Sequence, residues 1–141
     1  MSTRGFYQFV DGNMTLNIYK HFDNYPSGGV DALREAGSNA WGFPRYEADE
    51  FAAAFVAANK GGPGNVRLYP SGDWRDHAPG DIEYCYVINN TRAEGEPVVT
   101  CLRVRQGSDG KWTQTEVFQA KLADIVSGAF VLSDNEDEDA A

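Results

Sequence analysis

The sequence has few cysteines and few basic residues, and it has no long apolar run. Its 141 residues include two cysteines, without CxxC or CxxxH spacing, so neither a disulfide scaffold nor a structural zinc site is expected. Twelve basic residues against 21 acidic ones give a net charge of −9, which argues against direct nucleic-acid binding. No apolar run approaches the roughly 20 residues of a membrane helix. These features indicate a small, acidic, soluble domain.

Signatures of catalysis are also missing. The sequence contains no G-x-S-x-G, no P-loop and no dinucleotide fingerprint. Cys85 and Cys101 fall in the middle of predicted strands and far in sequence from either histidine, so neither resembles an activated nucleophile. We therefore predict no catalytic residue, no metal and no cofactor.

Hydrophobic periodicity predicts both strands and helices. Residues 14–20 alternate cleanly, and a turn at 11–13 joins them to 4–10 as a hairpin. The predicted strands are 4–10, 14–20, 66–69, 81–89, 97–105 and 111–119, and the predicted helices are 29–36, 47–59 and 120–127. This order predicts a single α+β domain over 1–132. Its mainly antiparallel sheet of about five to six strands has two to three helices packed on one face.

The last nine residues, 133–141, form an acidic tail. They hold five of the acidic residues, without which the net charge would be −4. Like charges at this density repel one another and bury nothing, so the tail is predicted to be disordered. It acts either as a solubilising segment or as a polyanion that competes for a basic surface on a partner.

The two cysteines predict a strand register. In a hairpin centred on Ala93, Cys85 lies opposite Cys101. Such a pair forms either a cross-strand disulfide or two buried thiols. The first five residues lack the apolar core of a signal peptide, which predicts a cytoplasmic location and so favours reduced thiols.

A polar loop after the second predicted strand is the most distinctive segment. His21 and Asp23 could act as a base and its orienting carboxylate. If the loop 70–80 meets them, the possible divalent-metal ligands are His21, Asp23, Asp76 and His77. We favour a structural role, in which His21 and Asp23 hydrogen-bond the loop backbone while Tyr25 and Pro26 pack it down.

This segment resembles a motif of small proteins from phages and mobile elements, Tyr-x-His-Trp-Asp-Gly-Tyr-Pro. The matching residues are Tyr19, His21, Asp23, Tyr25 and Pro26. Phe22 stands in place of the tryptophan and Asn24 in place of the glycine, and asparagine tolerates left-handed backbone. The predicted strand 81–88 resembles that group's acidic-then-aromatic strand. The resemblance implies no catalytic residue. It does imply that the gene belongs to phages or mobile elements, whose small acidic proteins often block host defence.

Large aromatic residues also fall in the predicted loops. They either contact a partner or act as lids over a small core. With two neighbouring acidic residues, the predicted partner-binding set is Trp41, Tyr46, Asp49, Glu50 and Trp74.

The sequence therefore favours a non-enzymatic inhibitor that binds a host protein or ribonucleoprotein complex in the host cytoplasm, as anti-CRISPR proteins do. Acidic patches would steer it to basic channels. Two alternatives stay open: a small-ligand- or metal-binding enzyme at His21, Asp23 and His77, and an immunity or antitoxin protein. An uncovered edge strand could pair across a two-fold axis, so both monomer and homodimer are possible.

Overall fold

The computed structural model describes residues 2–90 and 96–133, which form six strands and four helices. The strands are β1 (Gly5–Asp11), β2 (Met14–Lys20), β3 (Val66–Tyr69), β4 (Tyr84–Asn90), β5 (Val98–Gln106) and β6 (Trp112–Lys121). The helices are α1 (Pro26–Gly37), α2 (Ala48–Asn59), α3 (Trp74–His77) and α4 (Leu122–Ser127). Residues 134–141 of the predicted tail, and the predicted hairpin centre at Ala93, lie outside the described residues.

The strands form one mixed sheet in the order β3-β2-β1-β4-β5-β6. β1 and β4 pair in parallel, and the other four described pairings are antiparallel. Gly12, with φ 59°, takes the left-handed backbone that the tight β1–β2 turn requires. The predicted α+β class with a mainly antiparallel sheet is confirmed.

One face of the sheet is covered by α1, α2 and α4. Tyr7 and Phe9 project from β1 onto this face and contact Phe55 of α2, with ring centroids 4.5 and 5.7 Å apart. Tyr7 also stacks on Tyr86 of β4 at 4.8 Å. The main core therefore lies between the sheet and these three helices, as the sequence predicted.

The opposite face carries a second apolar cluster that the sequence did not predict. Trp74 of α3 packs there among Phe6, Tyr19 and Cys85, and it is 1% exposed. Amide side chains hold the preceding turn, because both Gln8 and Asn17 donate hydrogen bonds to the Gly72 carbonyl oxygen, at 2.8 and 2.9 Å. The segment 70–80 is thus a cover for the sheet and not an open polar loop.

The predicted cysteine register is wrong by one residue. Tyr86 pairs with Cys101, and Cys85 pairs with Leu102, so the two thiols project to opposite faces. Both cysteines are buried, and neither forms a disulfide with the other. Residues 84–88 are apolar on both faces, and an unbroken apolar run does not specify which side chain faces which layer.

Candidate functional site

The loop between β2 and α1 is organised by Asn24, which is fully buried. Its amide nitrogen donates to the carbonyl oxygens of Lys20, Thr3 and Phe22 at 2.8, 2.9 and 3.1 Å. Its side-chain oxygen accepts a 2.7 Å hydrogen bond from the Tyr7 hydroxyl. The loop is therefore closed by an internal side chain that satisfies its backbone.

The hydrogen bonds described for this loop centre on Asn24 more than on His21 and Asp23. His21 Nδ1 lies 2.8 Å from the Tyr19 hydroxyl oxygen, so this ring pairs with a strand residue. Asp23 is exposed and has φ 62°. It therefore occupies the left-handed position that the resemblance to the phage motif predicted for Asn24. The bonds to the loop backbone come from Asn24 instead. The predicted packing of Pro26 holds, since this residue is buried.

Lys20 is a charged group that this loop encloses. It is 7% exposed, and its ammonium group donates a hydrogen bond to the Phe22 carbonyl oxygen. Burial lowers the pKa of Lys20, and the nearby carboxylates of Asp23 and Glu35 partly oppose that shift. The lysine thus closes the loop at an electrostatic cost.

The possible metal ligands His21, Asp23, Asp76 and His77 do not form a metal site. Within residues 2–90 and 96–133, no three His, Cys, Asp or Glu side chains come together with metal-binding geometry. In the segment 70–80, the Asp73 carboxylate caps α3 by accepting a 2.9 Å hydrogen bond from the Arg75 backbone N–H.

Three of the predicted partner-binding residues gather at the start of α2. Trp41 is 40% exposed, its backbone N–H donates to Glu50 Oε1 at 3.3 Å, and the Arg45 guanidinium lies 3.3 Å from the centre of its indole ring. Glu47 lies 3.8 Å from Arg45, and Asp49 precedes Glu50 with its carboxylate exposed. We call these five residues the Trp41 surface. It combines an aromatic ring with three carboxylates and one guanidinium.

Tyr46 and Trp74 are core residues, which corrects their predicted role as surface anchors. Tyr46 is 8% exposed and packs on Phe51 with ring centroids 5.8 Å apart, and burial raises its pKa. Trp74 packs edge-on against Trp112 at 5.2 Å. For these two aromatics, the alternative of a lid over the core is the one that the structure supports.

The structure also contains an apolar groove that was not predicted. It has a volume of about 620 Å³ and lies between α2 and the β2–β3 edge of the sheet. We call it the α2–β3 groove. Its lining residues are Leu16, Asn17, Ile18, Asp49, Ala52, Ala53, Val56, Lys60, Val66, Leu68 and Tyr69. A signal was present in the sequence, because α2 carries alanines on more of its circumference than one buried stripe needs.

The site therefore consists of a charged aromatic surface at the start of α2 and an apolar groove along the same helix, joined at Asp49. In the described part of the chain, no helix has the length and apolar character needed to cross a bilayer. Comparisons of the chain with protein-family models, with curated proteins and with solved structures gave no significant match.

Proposed function

We propose that this protein is a non-enzymatic inhibitor that binds a target protein or ribonucleoprotein through the Trp41 surface. The observation that carries the proposal is the exposed Trp41 ring, which lies under the Arg45 guanidinium and next to the acidic first turn of α2, where Glu50 accepts the hydrogen bond from its backbone N–H. Trp41 is held in place by its hydrogen bond to Glu50 and by the stacked Arg45, so little conformational entropy is lost when a partner covers it. Tryptophan is among the residues most enriched at binding hot spots.

The charge of the Trp41 surface indicates the chemistry of the target. Three carboxylates against one guanidinium favour a basic partner, and the net charge of −9 would speed encounter with one. Nucleic-acid-handling complexes have such basic channels. The resemblance of residues 19–26 to a phage motif points to a host defence complex of this kind in the host cytoplasm. An immunity or antitoxin protein would use the same surface on another basic target.

A binding assay on purified CRISPR effector complexes tests the proposal with matched charge variants. We expect Glu50→Lys to weaken binding about tenfold or more. Glu116→Lys makes the same charge change on exposed β6, at the other edge of the sheet, and should change binding little. Trp41→Ala should also weaken binding, whereas Phe22→Ala, at an exposed aromatic of the other loop, should not. Equal losses for Glu50→Lys and Glu116→Lys would show that only net charge matters and would contradict the proposed surface.

A further inference from the structure

The α2–β3 groove lies beside an edge of the sheet that no strand of residues 2–90 and 96–133 covers. β3 is the terminal strand of the sheet and has four residues. The outer side of a terminal strand presents backbone N–H and C=O groups that can pair with another strand. Groove and edge together form one surface.

The most exposed apolar residue of this surface is Leu68. It is 78% exposed on β3, and its side chain lines the groove on the same face as Ile18, its partner in β2. A leucine left in water forgoes the free energy that burial of its side chain would contribute. In a single chain, Leu68 and the apolar groove beside it are both exposed to water, and a partner could bury both together.

The charges at the two ends of the groove are opposite. Asp49 lies in the first turn of α2 and Lys60 directly follows its last residue, so they are separated by about 16 Å along the helix. The start of α2 is tied to Asp11, whose carboxylate accepts a 3.3 Å hydrogen bond from the Ala48 N–H. Its end lies near Asn65, whose side chain donates to the Asn59 carbonyl oxygen at 3.0 Å. The helix consequently runs antiparallel to β3.

A two-fold axis that passes beside β3, perpendicular to the sheet, makes this arrangement self-complementary. Two β3 strands related by such an axis are antiparallel, and their two α2 helices are antiparallel as well. The acidic end of one groove then lies beside the basic end of the other. Asp49 of each copy would therefore face Lys60 of the other, so a second copy of the same chain complements both charges.

We propose that the β3 edge and the α2–β3 groove bind a second copy of this chain, forming a two-fold dimer with a continuous sheet. The two Leu68 side chains meet over the joined grooves, and Arg67 of each copy lies opposite Tyr69 of the other. A register centred on Arg67 instead would place the Arg67 residues of the two copies opposite each other, and it is disfavoured by like-charge repulsion. The dimer does not depend on the function proposed for the Trp41 surface.

Sedimentation velocity on the purified protein over a range of concentrations tests the dimer. Physiological ionic strength is suitable, because it screens the repulsion between two chains of charge −9. We expect a monomer–dimer equilibrium that Leu68→Glu abolishes. Val131→Glu is the matched control, since Val131 is 81% exposed and does not line the groove. Circular dichroism of both variants checks that they are folded.

Charge exchange at the groove ends tests the symmetry. Asp49→Lys alone and Lys60→Glu alone should each weaken the homodimer, since each places two like charges together. A mixture of the two variants should form a heterodimer, because both end contacts are then between opposite charges. The mass readout needs no target, so it stands or falls separately from the binding assay on the Trp41 surface.

Two results would overturn the proposal. One is a wild-type monomer at every concentration, which would leave the groove to a peptide or a small apolar ligand. The other is a dimer that Leu68→Glu weakens no more than Val131→Glu does, which would place the interface elsewhere.

Discussion

At the scale of single residues, Asn24 and Asp23 show how two adjacent polar side chains have opposite effects on stability. Asn24 is fully buried with hydrogen bonds from both ends of its amide, whereas Asp23 is exposed and held at φ 62°. A buried polar group that loses its partner costs the full desolvation of the group left behind. An L-residue in left-handed backbone instead carries a local steric cost.

We expect Asn24→Ala to lower the free energy of unfolding by about 3 kcal/mol, because it leaves the Lys20 carbonyl oxygen and the Tyr7 hydroxyl without their partner. Asp23→Gly should change stability by less than about 1 kcal/mol, because glycine adopts this backbone without strain while the lost carboxylate no longer offsets the burial of Lys20. Urea unfolding monitored by circular dichroism measures both. A larger loss from Asp23→Gly than from Asn24→Ala would mean that the exposed carboxylate and not the buried amide holds the loop.

At the scale of elements, α1 approaches the sheet closely because a glycine faces it. A Cβ added at Gly29 would overlap the hydroxyl end of Tyr86. That hydroxyl cannot easily move, since the ring is fully buried and the oxygen donates to the carbonyl oxygens of Asn24 and Tyr25, at 2.8 and 3.1 Å. The helix, the loop before it and β4 are thus fixed at one point.

Gly29→Ala should destabilise the protein by about 1–3 kcal/mol through overpacking, even though alanine is the better helix former by about 1 kcal/mol. Gly42→Ala is the control, since an added Cβ there meets nothing within 4 Å. Thermal unfolding of the two variants measures the difference. A Gly29→Ala variant as stable as the wild type would show that Tyr86 can shift without losing its hydrogen bonds.

Local patterns predicted most of these elements but not how they assemble. The predicted strand 66–69 and the end of the helix at Asn59 agree with β3 and α2, because alternation and glycine stops act within a few residues. The parallel β1–β4 pairing joins segments about 80 residues apart, and no local pattern encodes it. The polar sequence around Trp74 predicts a surface position, although the ring inserts into the second apolar cluster. Three residues of the Trp41 surface, Trp41, Asp49 and Glu50, are predictable because they lie close together in sequence, whereas the groove needs β3 beside α2.

At the scale of the whole molecule, buried thiol and phenol groups make the free energy of unfolding depend on pH in the alkaline range. Burial raises the pKa of Cys85 above its ordinary 9.0, and it raises those of Tyr7, Tyr46 and Tyr86 above 10.0. The unfolded chain releases these protons at lower pH than the folded one does, so stability is present in full below pH 9 and is lost above it. Lys20 acts in the opposite direction, because its folded pKa lies below 10.5.

We expect the free energy of unfolding to fall as the pH rises from 9, by about 1.4 kcal/mol per pH unit for each proton that only the folded state retains. In Cys85→Ala the fall between pH 9 and pH 10 should be shallower, because one buried thiol that only the folded state keeps protonated is gone. Urea titrations at a series of pH values measure both curves. Equal slopes in the two proteins would mean that the Cys85 thiol does not contribute to the fall.

The separation of the two cysteines by the sheet makes each thiol a reporter for one layer. Cys101 lies in the cluster under the three longer helices, and Cys85 lies in the cluster under Trp74. A thiol reagent can modify either one only when its own layer opens, so labelling rates followed by peptide mass analysis time the two openings separately. Equal rates would mean that the two layers come apart together. A faster Cys85 would show that the cover formed by residues 70–80 lifts while the helical layer stays closed.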